Sequence, residues 1–239
     1  GDTYYMIYSP QRGSCLDYAT SDKPTGPFTY RGTIVDNGID YPGGNNHGSI
    51  CNINGQWYIF YHRMTNGTIM SRRGCVERIE ILPDGTIPQV EMTSLGFESY
   101  LNPYKPTAAE TACVLKGGCF ITELNIFERV VTNLTDGAVM GWKYYDFGED
   151  DSSKTMQIRL KVRGMGSKGR LHILIDSEDG AEIGVVDFGE NDAVIGGRVK
   201  AVTGRHALYI RVETGYTGWF AGEMKGRQLL QLSELVFIK

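Results

Sequence analysis

Three aromatic side chains, Tyr216, Trp219 and Phe220, crowd one glycine-rich stretch ahead of the last apolar run of the sequence, and Gln228 follows them. Flat aromatic faces stack on the C–H faces of sugar rings, and a side-chain amide can donate to and accept from hydroxyls, so the grouping has the chemistry of a carbohydrate contact. Packing of the same aromatics against another part of the chain is the competing reading. His47 stands among Gly44, Asn45, Asn46 and Gly48, just before a strand-like run. A histidine so placed either points into a channel shared by several elements or is hydrogen-bonded within its loop. Asp17, Asp22, Asp36 and Asp40 read as turn and surface residues; Asp22 sits beside Pro24 and Gly26, where turn chemistry suffices. No pair of them is assigned as catalytic. The five cysteines are an odd number, and Cys113 and Cys119 bracket a hairpin-like loop that suits either a disulfide or two half-buried thiols. No Cys/His spacing resembles a zinc site.

The elements that must position these groups are strands. Helical periodicity is scarce along the 239 residues, whereas short β-branched and aromatic runs alternate with 31 glycines and 8 prolines. A hydrophobic share of 41% and a charged share of 22% suit a folded chain. The net charge of −4 gives no reason to expect nucleic acid or anionic lipid as a partner, and no apolar run reaches the ~20 residues that span a bilayer. In the first hundred residues Tyr5 matches Tyr58 and Tyr8 matches Tyr61, an offset of 53 residues, with a turn before each copy. A repeat of that length holding several strands suits a propeller blade. Each copy continues into further strands, Cys15 to Thr20 and Phe28 to Val35 in the first, Glu77 to Leu82 and Gln89 to Met92 in the second. Two blades cannot close a ring, and the first lacks an opening strand, so the chain reads as cut from something longer. Beyond the weakly patterned stretch Thr93 to Lys105, period-two runs such as Met156 to Val162, Leu171 to Ile175 and His206 to Val212 indicate an antiparallel sandwich. The expected division is 1–102 and 103–239, an all-β chain of partial five-bladed β-propeller plus jelly-roll sandwich.

Several ordered motifs in the first region resemble glycoside hydrolase family 43. They are Gly44-Asn45-Asn46-His47-Gly48-Ser49-Ile50 followed by Asn54 to Arg63, Tyr18 to Asp22 with Pro24 to Phe28, and Asp84 to Met92. The second region resembles a family 6 carbohydrate-binding module through Ala109-Glu110, Thr135-Asp136-Gly137, Gly141-Trp142, Gly204 to Ile210 and the closing Leu229 to Phe237. The resemblance implies an inverting hydrolase of arabinan, arabinoxylan, xylan or galactan, secreted or periplasmic, acting on plant cell-wall polysaccharide. Inversion needs an acid and a base about 6.5–9.5 Å apart. By the same resemblance those carboxylates sit on blades ahead of this chain, in an absent amino-terminal segment.

The resemblance also assigns individual residues. His47 is expected to help hold a water-coordinated cation, often calcium, beneath the active site. Arg72, in Ser71-Arg72-Arg73-Gly74, matches a position that contacts sugar, although a solvated basic turn reads equally well. Trp142 matches an aromatic of the module's cleft, while the loop Asn191 to Gly196 lacks the second aromatic that the cleft requires. Glu110 and Glu123 match carboxylates of the module's calcium site. A non-catalytic binding module, or a sandwich that only braces the propeller, are the alternatives to a hydrolase.

Overall fold

The computed structural model describes residues 3–11, 13–38, 46–68, 70–149 and 153–239. Its chain forms two compact units, Gly1–Phe97 and Glu98–Lys239. The division falls earlier than the expected 102/103 because Leu101 already joins the second unit. Its N–H donates to the Tyr144 carbonyl at 2.8 Å, and its own carbonyl accepts from Asp146 N–H at 3.1 Å.

The first unit holds two three-stranded antiparallel sheets. One runs β1 (Tyr4–Tyr8), β2 (Cys15–Ser21), β3 (Thr29–Asp36) in that order, and the other β4 (Ser49–Ile53), β5 (Gln56–Met64), β6 (Arg72–Ile79). The repeat equates β1 with the body of β5. It therefore makes β1 an edge strand, while β5 is central because β4 flanks it. Asn54 and Gly55, at φ 52° and 88°, make the tight turn that joins β4 to β5. Between the sheets lies a core of Leu16, Tyr18, Ile34, Val35, Ile59, Tyr61, Ile79 and Ile87. The segment after β6 returns to the first sheet: Tyr5 Oη donates to the Gly85 carbonyl at 2.8 Å, and Ile87 N–H donates to Tyr18 Oη at 2.8 Å. Residues 89–92, expected as a strand, contribute only a single parallel bridge, Val90 to Val35. Pro88 and the preceding Asp84-Gly85 turn leave too short a run of free N–H groups for a ladder.

The second unit is a jelly-roll sandwich built from β7 (Thr107–Ala108), β8 (Val114–Lys116), β9 (Phe120–Glu123), β10 (Arg129–Leu134), β11 (Val139–Asp146), β12 (Thr155–Gly164), β13 (Gly169–Ile175), β14 (Ala181–Phe188), β15 (Ala193–Lys200), β16 (Arg205–Thr214) and β17 (Leu230–Ile238). One sheet has the order β15-β12-β17-β10-β9, with β7 also on β17; the other is β14-β13-β16-β11-β8. Alternation decides the faces. On β12, Met156, Ile158, Leu160 and Val162 are buried and the residues between them exposed, whereas β13 over residues 173–175 and β16 over residues 207–210 are buried on both faces, with Leu174, Ala207 and Tyr209 in a second, smaller cluster. The glycine-rich stretch before β17 contains a short helix, α1 (Trp219–Met224), where the sequence suggested only loop. No disulfide forms. Cys113 and Cys119 are buried thiols, with Cys113 Sγ 3.6 Å from the Gly141 carbonyl and Cys119 Sγ 3.2 Å from that of Lys116.

Candidate functional site

In the first unit the polar groups gather where the two sheets are tied together. Asn46 is fully buried; its side-chain amide donates to the Ser14 carbonyl at 3.1 Å, and its amide oxygen accepts from His62 N–H at 3.3 Å. Asn37 donates from Nδ2 to the His62 carbonyl at 3.1 Å. These bonds link β3 and the approach to β4 with β5, and they satisfy backbone groups that the ends of the ladders leave over. On this frame His47, exposed, stacks on His62 with ring centroids 5.6 Å apart and an angle of 19° between planes. His47 N–H points at His62 Nδ1 at 3.4 Å, which makes Nδ1 the acceptor and places the His62 proton on Nε2. Register puts Gly74 opposite His62 and Arg72 opposite Met64, so Arg72 shares the face of the sheet that bears His62. The structure thus brings His47 and Arg72 to the same face, with His62 between them as a residue the sequence reading missed. Asp40, Gly44 and Asn45 lie outside the described residues.

A second group escaped the sequence reading. Glu77 is buried on β6, where its carboxylate accepts from Tyr61 Oη at 3.3 Å, Thr93 N–H at 2.8 Å and Thr93 Oγ1 at 2.6 Å. Burial pushes its carboxyl above the ordinary 4.5, against the pull of the Thr93 and Tyr61 hydrogen bonds. Alternation gave the signal: Cys75, Glu77 and Ile79 fall on one face of β6, and Ile79 is buried. Asp17 is buried as well, accepting from Thr33 Oγ1 at 2.7 Å, so it is not the surface residue expected. Asp22 and Arg31 line an open groove with Trp57 and Tyr5.

In the second unit the aromatic residues separate into two kinds. Trp142 is fully buried in the sandwich core, and its indole N–H has no hydrogen-bond partner among the described residues. It therefore cannot serve as an open platform for a ring, and that expectation is corrected. The cause is alternation along β11, which sends Met140 and Trp142 inward and leaves Gly141 on the other face under Tyr209. Gln228 is corrected in part. Its side-chain oxygen accepts from Thr132 Oγ1 and Asn133 N–H, both at 3.1 Å, and so pins a bulge in β10 where Asn133 takes φ 53°. Tyr216 is half-buried, with the Lys168 ammonium 5.6 Å from its ring. Trp219 and Phe220, by contrast, are 72% and 61% exposed on α1, edge to face with centroids 5.2 Å apart.

The two carboxylates matched to calcium sit on different elements, Glu110 on a 3₁₀ turn and Glu123 on β9. Glu123 is exposed and turned to Arg129, with 3.6 Å between Oε1 and Nε. No three His, Cys, Asp or Glu side chains among the described residues gather as a metal cradle. Among the described residues His47 lies against His62, whose Nδ1 accepts its N–H.

Two three-stranded sheets and a jelly roll with an exposed aromatic pair make this an all-β protein. The comparisons narrow the class. Over 198 residues the chain is 43% identical to a xylosidase/arabinosidase of Thermoclostridium stercorarium, a match covering 69% of this chain and 41% of that one. The crystal structure of a glycoside hydrolase family 43 arabinoxylan arabinofuranohydrolase from Bacillus subtilis, in complex with cellotetraose, matches all of this chain and 52% of its own, with TM-score 0.57 and 25% identity. A family 6 carbohydrate-binding module from Clostridium cellulolyticum, solved with xylose, matches 58% of this chain and all of its own at TM-score 0.48 and 19% identity. No protein-family model matches the chain. The chain is a homologue of xylosidases and arabinosidases, and both of its units fall within the match to the family 43 arabinofuranohydrolase. It spans less than half the length of the Thermoclostridium xylosidase/arabinosidase and of two curated arabinoxylan arabinofuranohydrolases that it also matches.

Proposed function

We propose that this chain is the carboxy-terminal part of an inverting hydrolase that removes arabinofuranosyl or xylosyl units from a xylan-type polysaccharide. The observation that carries the reading is the continuous match of both units to a family 43 arabinoxylan arabinofuranohydrolase. In this reading the acid and base reside on blades outside the chain, and the first unit supplies a wall with His47 and Arg72 facing the substrate side. The described acids support this assignment, because Asp17 and Glu77 are each tied to hydroxyl or backbone partners within the fold. A polymeric substrate does not cross a membrane, so the protein works outside the cytoplasm. The purified chain should release no nitrophenol from aryl arabinofuranoside or aryl xyloside, while the complete gene product should. Hydrolysis by the chain alone overturns the proposal.

The sandwich is proposed to hold neutral xylo-oligosaccharide on Trp219 and Phe220. Large aromatic faces left open to water, inclined at 74° to one another, suit ring stacking more than core packing. Calorimetric titration of xylohexaose should give binding that Trp219→Ala abolishes. Heat of binding unchanged in that variant would leave the sandwich with a bracing role only.

A further inference from the structure

One edge of the sandwich carries a charged groove that the aromatic pair does not use. On β15, Val194, Gly196, Arg198 and Lys200 share a face; opposite them in register on β12 stand Lys161, Arg159, Gln157 and Thr155. All eight are exposed, while Ile158, Leu160 and Val199 from the same strands are buried in the core. A groove of about 440 Å³ opens here, lined by Gln157, Arg159, Arg198, Val194 and the glycines 196 and 197. Gly196 keeps it open. A Cβ at that position would lie 2.6 Å from the Ile158 carbonyl oxygen and 3.4 Å from Arg159 Cγ, so any side chain would crowd the strand and the arginine stem together.

Arg159 and Arg198 are diagonal neighbours on adjacent antiparallel strands, a spacing of about 7–8 Å. Neither guanidinium has an ion pair or a side-chain hydrogen bond among the described residues, whereas Arg129, Arg163 and Arg170 each meet a glutamate. The acid nearest in register, Glu234, stands opposite Lys161. Two uncompensated guanidinium groups beside a lysine repel one another, and a bound carboxylate relieves that repulsion through paired N–H donors. The bare glycine backbone and the Val194 side chain, 68% exposed, offer a flat apolar seat for a ring.

We infer that this groove binds a uronic acid residue of a saccharide chain, its carboxylate between Arg159 and Arg198 and its hydroxyls within reach of the Gln157 amide. The inference rests on the reading of the chain as polysaccharide-binding. Charges on an edge strand also discourage edge-to-edge association, but that role predicts no ligand. The test is calorimetric titration of the 239-residue chain with a xylo-oligosaccharide bearing one glucuronosyl branch, with its unbranched counterpart, and with an oligogalacturonate. The branched ligand should bind more tightly than the unbranched one. Arg198→Gln should remove at least about tenfold of that affinity, and added salt should weaken it in the wild type. Arg159→Gln should do the same, with thermal unfolding unchanged in both. A response to the oligogalacturonate as well would place the recognised uronate in a backbone, and its absence would place it in a branch. Equal affinity for branched and unbranched ligands, or no loss in the arginine variants, overturns the groove alone if Trp219→Ala still abolishes neutral binding. Failure of every ligand overturns the groove and the sugar-binding reading together.

Discussion

Two tryptophans of the sandwich show how the surroundings of a residue set its role. Trp142 fills the core, so Trp142→Ala should cost about 3–5 kcal/mol in chemical denaturation, while Trp142→Phe, which removes the unpartnered N–H, should cost much less. Trp219→Ala should leave stability within about 0.5 kcal/mol, because the side chain is mostly in water. If the two alanine variants destabilise equally, the burial difference is wrong. Glu77 makes a pH statement. Its carboxyl titrates above the ordinary 4.5 in the folded unit, so the folded state holds the proton more tightly than the unfolded chain. Stability of the first unit should fall as pH rises from 4.5 through the folded value, and the deficit should be complete above it. Trp57 is the one tryptophan of that unit, so its fluorescence can follow unfolding there. In Glu77→Gln the decline should flatten; a decline that persists would assign it to another group.

Among the elements, the outer face of the second sheet carries its own polar staple. His172 on β13 reaches Glu182 on β14 through Nδ1 at 2.6 Å and Glu213 on β16 through Nε2 at 2.7 Å, so one ring bridges three strands. The His172 hydrogen bond holds the half-buried Glu213 carboxyl below its ordinary 4.5. This contribution is present above 4.5 and is lost as pH falls through the folded value. His172→Ala should therefore weaken the sandwich at neutral pH and lessen its sensitivity to acid in that window. Unfolding profiles that run parallel for wild type and variant would show that the staple carries no pH dependence. Strand positions were largely legible, since β12, β13 and β16 each cover a period-two run named from the sequence. Residues 89–92 and α1 were not. A lone apolar run beside proline does not say whether a partner ladder is near, and a six-residue helix is too short for helical periodicity to show.

For the molecule as a whole, the sandwich has a continuous core of its own, whereas the first unit leaves β1 and β4 as edge strands. Residues 98–239 expressed alone should keep a cooperative thermal transition and elute as a monomer on size exclusion, and residues 1–97 alone should aggregate. A soluble, cooperatively folded 1–97 fragment would show that the two sheets need no further partner. Sequence by itself determined the all-β class and the repeat that equates β1 with β5, because turn residues and alternation are local and survive in a bare string of letters, and its ordered motifs carried the resemblance to family 43. It also flagged the crowding of Trp219 and Phe220. Tertiary structure alone decided which aromatic faces water. Val139-Met140-Gly141-Trp142 is apolar throughout, so nothing in it marks the inward face until β16 and β8 pack on either side. The same holds for the Arg159–Arg198 groove, whose two cations are 39 positions apart in the chain and become neighbours only through the β12–β15 register.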